Sequence, residues 1–297
     1  MKSGNPSAVV GRLIMALLLC SLVGGCKVSD INLNDFTPER IGMISSSVQA
    51  IGKATRPLAD DEEYYVGRAV AARIASTYPL YRNVRLTEYL NLIGQSLVLH
   101  TEKPTTFGGY RFALLDSPEV NAFACPGGII LITRGMLSSV KSEDELAAVL
   151  AHEIGHIIHR DGIAAIQSSR WSEALLVIGS NAAREFGPKD TAKLLSLFEG
   201  SIDDVLKTLV VNGYGREQEK VADAAALEYL AAAGYDPQGL VGYLTRLEQA
   251  GHGSKGGILT THPGTDERLE YVRQAKSPSV NTSAEPKRTR RFAAFMR

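Results

Sequence analysis

The chain has 297 residues, 44% of them hydrophobic and 22% charged, with 32 basic residues against 32 acidic ones. Such a composition is that of an ordinary globular protein, with enough chain for one large domain or two small ones. The zero net charge leaves no basic excess with which to hold nucleic acid, which sets that class of partner aside.

The amino terminus reads as a targeting segment over residues 1–25. Lys2 and Arg12 supply a positive region, Leu13 to Val23 a short apolar run, and Gly24-Gly25 the small residues that a signal peptidase needs. The run is too short to span a bilayer comfortably. Val23-Gly24-Gly25-Cys26 resembles a bacterial lipobox, in which Cys26 becomes the lipid-modified first residue of the mature protein. Lys27 follows, with no Asp there. That resembles lipoproteins sorted to the outer membrane, and it implies a lipid anchor on the periplasmic face. Cys20 would leave with the signal and Cys26 would be acylated. Cys125, left alone, cannot close an internal disulfide and is expected to pack in the core. Residues 26–59 are expected to form a tether with a weak amphipathic helix around Ile41 to Ile51.

A domain over residues 60–276 is expected to follow. Asp60-Asp61-Glu62-Glu63 opens a helix with acids in its first turn, where the helix dipole favours them. Val66, Val70 and Ile74 recur at helical spacing until Tyr78-Pro79. A second helix is predicted from about Val84 to His100. Two β-rich runs, Tyr110 to Leu115 and Gly128 to Thr133, come next. Between them lies Asn121-Ala122-Phe123-Ala124-Cys125-Pro126-Gly127-Gly128, and its proline confines this piece to a sheet edge or a turn. A small sheet with an accessible edge is the expectation.

From Ser142 onward the pattern is helical. Ser142 and Glu145 form a capping box ahead of Leu146, Val149 and Leu150, which predicts a helix from Glu143 to about Arg160. Further helices are predicted over Ile163 to Phe186, Arg216 to Ala233, Pro237 to Ala250 and Thr265 to Ala275, with a less regular stretch over 189–211. The basic tail, 277–297, lacks apolar periodicity and is expected to be disordered.

Inside the capped helix stands His152-Glu153-Ile154-Gly155-His156. Residues four apart share a helix face roughly 6 Å from one another, so both imidazoles can hold one tetrahedral metal. Glu153 is turned toward the open side, where a carboxylate can take a proton from an attacking water. Gly155 gives up about 1 kcal/mol of helix propensity relative to Ala, which points to another element approaching closely. Apolar residues surround the motif, so the helix is expected to be buried, and buried His and Glu need partners. His159 lies too far along the axis to join the other two histidines on one ion. Glu219 and Asp223, four apart among Val221, Ala222, Ala225 and Ala226, supply what is missing. Glu219 is assigned as the third ligand. Asp223 is assigned to accept the remaining N–H of a ligating histidine, His152.

His152 to His156, followed by Gly215-Arg216-x-x-Glu219-x-x-Ala222-Asp223, resembles the M48 zinc metallopeptidases, over roughly Asp60 to Lys276. Asn121 to Ala124 with Pro126-Gly127-Gly128 is similar to that family's substrate-side edge strand. Thr261-His262-Pro263 with Arg268 is similar to its late His-Pro…Arg element. Gly215 departs from the family's usual Ser, and no hydrophobic spans or C-terminal helical repeats accompany the domain, as in a short lipoprotein branch.

The resemblance implies an α+β, mainly helical, gluzincin-like fold with one Zn2+ per chain. It implies that Asn121 and Ala122 receive an extended peptide. It implies that His262 and Arg268 stabilise the oxyanion, although in some relatives the equivalent His caps zinc at rest. The activity implied is an endopeptidase acting on misfolded or unassembled envelope proteins, with outer-membrane assembly machinery as a possible partner. The alternatives are an assembly factor that binds without cutting and a hydrolase with a non-peptide substrate. Residues 163–213 are expected to fold over the cleft and keep the enzyme latent.

Overall fold

The computed structural model describes residues 58–165, 199–251, 257–275, 280 and 282–296. The expected signal segment, Cys26, the tether and most of the helix predicted over 163–186 lie outside the described residues.

The chain begins with α1 (Asp60–Thr77) and α2 (Val84–Val98), both close to their predicted limits. Each start is satisfied locally: Glu62 Oε2 accepts the Ala59 N–H at 2.8 Å, and Asn83 Oδ1 accepts that of Leu86 at 3.1 Å. Three strands follow, β1 (Arg111–Leu115), β2 (Ala122–Cys125) and β3 (Ile129–Thr133), with a 3-10 turn at Pro126–Gly128. Their order is β1-β3-β2, with β1 parallel to β3 and β2 antiparallel to it. The Asn121–Gly128 piece therefore supplies an edge strand as well as a turn. Ile130, Leu131 and Ile132 of the central strand are all buried, as a strand covered on both faces requires.

After the short α3 (Arg134–Ser139) comes α4 (Glu143–Ile158), the helix that carries His152 and His156. Ser142 Oγ accepts the Glu145 N–H at 3.1 Å. The helix stops two residues short of its predicted end because Arg160 takes a left-handed conformation, φ 59°, unusual for a residue with a Cβ. Its guanidinium holds that turn through Leu58 O at 2.7 Å and Glu63 Oε2 at 2.9 Å. The turn leads directly into α5 (Asp161–Ala164).

The remaining elements are α6 (Glu199–Leu206) with a π-helical turn at Lys207–Asn212, α7 (Arg216–Ala232), α8 (Gln238–Gly251), α9 (Ile258–Thr261), α10 (Thr265–Gln274) and α11 (Glu285–Phe295). Two apolar clusters organise them. The larger surrounds α4 with residues of α2, the sheet, α7 and α8; the smaller joins α1 to Phe123, Cys125, Leu209 and Tyr214. Cys125 is buried and free, as expected. Among the described residues no helix is long and apolar enough to cross a membrane.

The expected disorder of 277–297 does not hold for α11. This helix docks on the first turn of α4: Arg291 Nε donates to Glu143 Oε2 at 2.8 Å, and Arg288 Nε lies 2.9 Å from Asp144 Oδ1. Phe295 stacks on Tyr89 with centroids 4.3 Å apart. The docking face combines guanidinium–carboxylate pairs, which hydrophobic periodicity does not register, with Phe292, Phe295 and Met296 packed on the larger apolar cluster.

A candidate metal centre

The site is assembled from α4, α7 and the loop between α9 and α10. Gly155 allows the first pairing: a Cβ on it would lie 3.2 Å from both Cα and O of Ala222, so the bare backbone lets α7 lie directly on α4. Glu219 and Asp223, on the face of α7 turned to α4, thereby meet the histidine pair, and both carboxylates are fully buried.

His152 Nδ1 donates to Asp223 Oδ1 at 2.9 Å, and His156 Nδ1 donates to Asp161 Oδ2 at 2.8 Å. These bonds fix the Nδ1–H tautomer of both rings and turn the Nε2 lone pairs inward, 3.1 Å apart. Glu219 Oε2 lies 3.4 Å from His152 Nε2, and Glu219 Oε1 lies 3.5 Å from His156 Nε2. His262 joins them: its Nδ1 is 3.2 Å from His152 Nε2 and 3.0 Å from Glu219 Oε1. One ligand atom from each of His152, His156, Glu219 and His262 lies within 4.8 Å of the other three, and all four residues are buried.

This arrangement fits a zinc ion on two counts. Nitrogens bound at about 2.0–2.1 Å to a tetrahedral metal stand roughly 3.3 Å apart, close to the spacing seen here. Lone pairs turned toward one another in a dry interior repel unless a cation lies between them. The electrostatics agree. Glu153, Glu219 and Asp223 are buried about the Arg268 guanidinium, and Asp161 is buried behind His156. Burial and Arg268 oppose charge on His152, yet hydrogen bonds to Asp223 and Glu219 raise its pKa to about 9. Burial would raise the Asp223 carboxyl, but Arg268 and His152 bring it down to about 2. Glu219, against the same burial, is held well below the usual carboxylate range by His262 and Arg268. His262 moves the other way, since burial outweighs the pull of Glu219 and Glu153.

Glu153 lies on the open side of the cluster. Its Oε1 is 3.6 Å from His262 Nε2, and its Oε2 is buried with no hydrogen-bond partner. Arg268 has each nitrogen engaged: Nε and Nη2 meet the two oxygens of Asp223 at 2.8 Å, and Nη1 lies 2.7 Å from Glu219 Oε2. Its position is thus among the carboxylates that brace the ligands. His159 is exposed at the end of α4, apart from the cluster.

Asn121 and Ala122 are buried beside this centre. Thr133 N–H donates to Asn121 O at 3.1 Å, so by antiparallel alternation the backbone groups of Ala122 and Ala124 turn away from β3 to the outer rim of the sheet. That rim is covered where it begins. Ile258 N–H donates to Val120 O at 2.9 Å, and the Thr261 hydroxyl donates to Asn121 Oδ1 at 3.1 Å. The segment that carries His262 therefore lies across the start of the edge strand.

Two residues of the site have no sequence signal of their own. Asp161 reaches His156 because of the left-handed turn at Arg160, and Gln218 Nε2 steadies it through Oδ1 at 2.9 Å. Tyr214 lies parallel to the His156 ring at 3.8 Å and 16°. Asp161→Ala is expected to weaken zinc binding about 10–100-fold, as loss of a carboxylate partner behind a ligating histidine does. Competition against a chromophoric chelator measures it, and unchanged affinity would deny Asp161 that role.

The comparisons with known proteins agree with this geometry. The chain is 26% identical over 279 residues to the beta-barrel assembly-enhancing protease of Escherichia coli (strain K12), covering 92% of this chain and 54% of that protein. It is 30% identical over 221 residues to the protein of the same name in Yersinia pestis, covering 73% and 44%. The chain thus spans about half the length of these relatives. Against the metalloprotease LoiP of Escherichia coli (strain K12), 24% identity extends over 90% of this chain and 97% of that protein. The profile of Peptidase family M48 matches residues 85–276, which takes in the histidine pair, Glu219 and the His262–Arg268 element together, and the chain belongs to that family.

Proposed function

We propose that this chain is a zinc-dependent endopeptidase of the bacterial cell envelope, anchored through a lipid on Cys26 and acting on misfolded or unassembled outer-membrane proteins. The observation that carries the catalytic reading is the convergence of four buried lone-pair donors on one point, with the Glu153 carboxylate beside them, one oxygen near His262 and the other without a hydrogen-bond partner. His152, His156 and Glu219 would hold the metal. Bound there, zinc polarises the carbonyl under attack and makes its water acidic enough to react near neutral pH. Glu153 takes the proton as the water oxygen attacks the carbonyl carbon, then passes it to the departing amine nitrogen. Asp223 and Asp161 keep the two imidazoles in register throughout.

In this reading His262, whose Nδ1 lies among the other ligand atoms, would help to hold the metal at rest and would have to move aside before a peptide can react. A peptide that adds to the outer rim of β2 would displace the Ile258–Thr261 segment and His262 with it, through main-chain hydrogen bonds that need little sequence preference. A cavity of about 20 Å³ between Glu153 and the side chains of Met136, Leu240 and Tyr243 offers an apolar place for one small substrate side chain once it widens. The envelope assignment is supported by the lipobox-like Val23 to Cys26 and by relatives whose name is beta-barrel assembly-enhancing protease. A chaperone-like assembly factor remains the second reading, with Glu153 against it, since binding alone needs no base.

Metal analysis of the purified protein, run beside a casein cleavage assay, tests the proposal. One zinc per chain is expected, with cleavage abolished by a chelator and restored by added zinc. Cleavage that survives complete removal of metal would refute it.

A further inference from the structure

Tyr214, whose ring stacks on His156, carries a buried hydroxyl with no hydrogen-bond partner among the described residues. Two features place it there. Gly213 has φ 74°, and a Cβ on it would lie 2.4 Å from Thr260 O, so the chain can take this sharp course only through glycine. Tyr214 N–H then donates to Thr261 O at 3.0 Å. The ring is packed with Phe123, Cys125 and Leu209 on its far side and lies 5.5 Å from the His262 ring. Phenylalanine would fill the same space and make the same stack without desolvating a hydroxyl, so an unmet donor at this spot calls for an acceptor that arrives later.

The surroundings say where that acceptor would be. The hydroxyl is a donor on a ring that stacks on one histidine of the centre and neighbours another, His262. The donors expected to meet the oxyanion are otherwise engaged: Arg268 by Asp223 and Glu219, and His262 among the ligand atoms. We infer that Tyr214 is a catalytic residue whose hydroxyl donates a hydrogen bond to the oxygen of the attacked carbonyl, in the place His262 vacates, as negative charge develops on that oxygen. No proton is transferred in this step; the donor stays neutral and the charge stays on the substrate. The inference rests on the peptidase reading above.

Tyr214→Phe keeps the ring and its stack, and it is expected to bind one zinc as the unaltered protein does. Its kcat on casein-derived peptides should fall about 10²-fold with KM within about twofold, the size of effect seen when an oxyanion donor is removed. Affinity for a phosphinic peptide, whose tetrahedral oxygens mimic the transition state, should fall by a similar factor. Affinity of the Glu153→Gln background for an uncleaved substrate peptide should not change when Tyr214→Phe is added. A kcat and a phosphinic affinity both within about twofold of the unaltered protein would overturn the inference, and so would a loss explained by lower zinc content. Failure of the unaltered protein to cleave any peptide would instead count against the peptidase reading, and the phosphinic comparison would still decide the part played by Tyr214.

Discussion

Glu153→Gln is expected to leave zinc content and folding intact while lowering kcat by about 10²–10⁴-fold, the range for loss of a positioned general base. Gln is nearly isosteric and sits in a helix that is buried around it, so packing should hardly notice. The Glu153 carboxylate makes no hydrogen bond through Oε2 and none of the ligand bonds. Exchanging it for an amide removes the capacity to take a proton and the charge that faces His262 at 3.6 Å, and leaves the ligand atoms in place. Metal analysis and a thermal melt beside the peptide assay would separate the outcomes. Cleavage retained within about tenfold would remove Glu153 from its role as base.

Arg268→Leu is expected to have the largest effect on stability, a loss of about 3–5 kcal/mol, because it strands buried charge rather than merely deleting a contact. The guanidinium is 6% exposed and neutralises Asp223 and Glu219, which are both 0% exposed. Asp223 in turn orients His152, so zinc affinity should fall together with the melting temperature. Chemical denaturation of the zinc-loaded and zinc-free proteins measures both. If Arg268 served only to meet substrate charge, Arg268→Leu would lose kcat while melting as the unaltered protein does.

Much of the site was readable because its logic is helical. Ser142 and Glu145 mark the start of α4, the interval between His152 and His156 places both on one face, and Glu219 with Asp223 repeats that interval on α7. A bare Gly155 amid good helix formers already asked for a neighbour, and Ala222 is that neighbour. What escaped depends on turns and on charge pairs. Asp161 follows the histidine motif closely, but only a left-handed Arg160 folds it back, and a residue with a Cβ gives no advance notice of that conformation. The covering of the sheet rim by Ile258 and Thr261 joins segments far apart in the chain through single hydrogen bonds, which leave no periodic trace. The tail differs from its expected disorder for a similar reason, since its arginines find carboxylates on another helix and its few apolar residues, Phe292, Phe295 and Met296, are too few and too near the end to show a period.

The docking of α11 also redraws the limits of the folded unit. The family match ends at residue 276, yet Glu143 and Asp144, which begin the metal-bearing helix, find their guanidinium partners beyond it. A version trimmed at that boundary would bare the Tyr89 ring and leave Glu143 and Asp144 with only the Tyr89 hydroxyl and the Asp236 N–H in place of their guanidinium partners. The last few turns of the chain thus brace the helix that carries the histidine pair at its first turn.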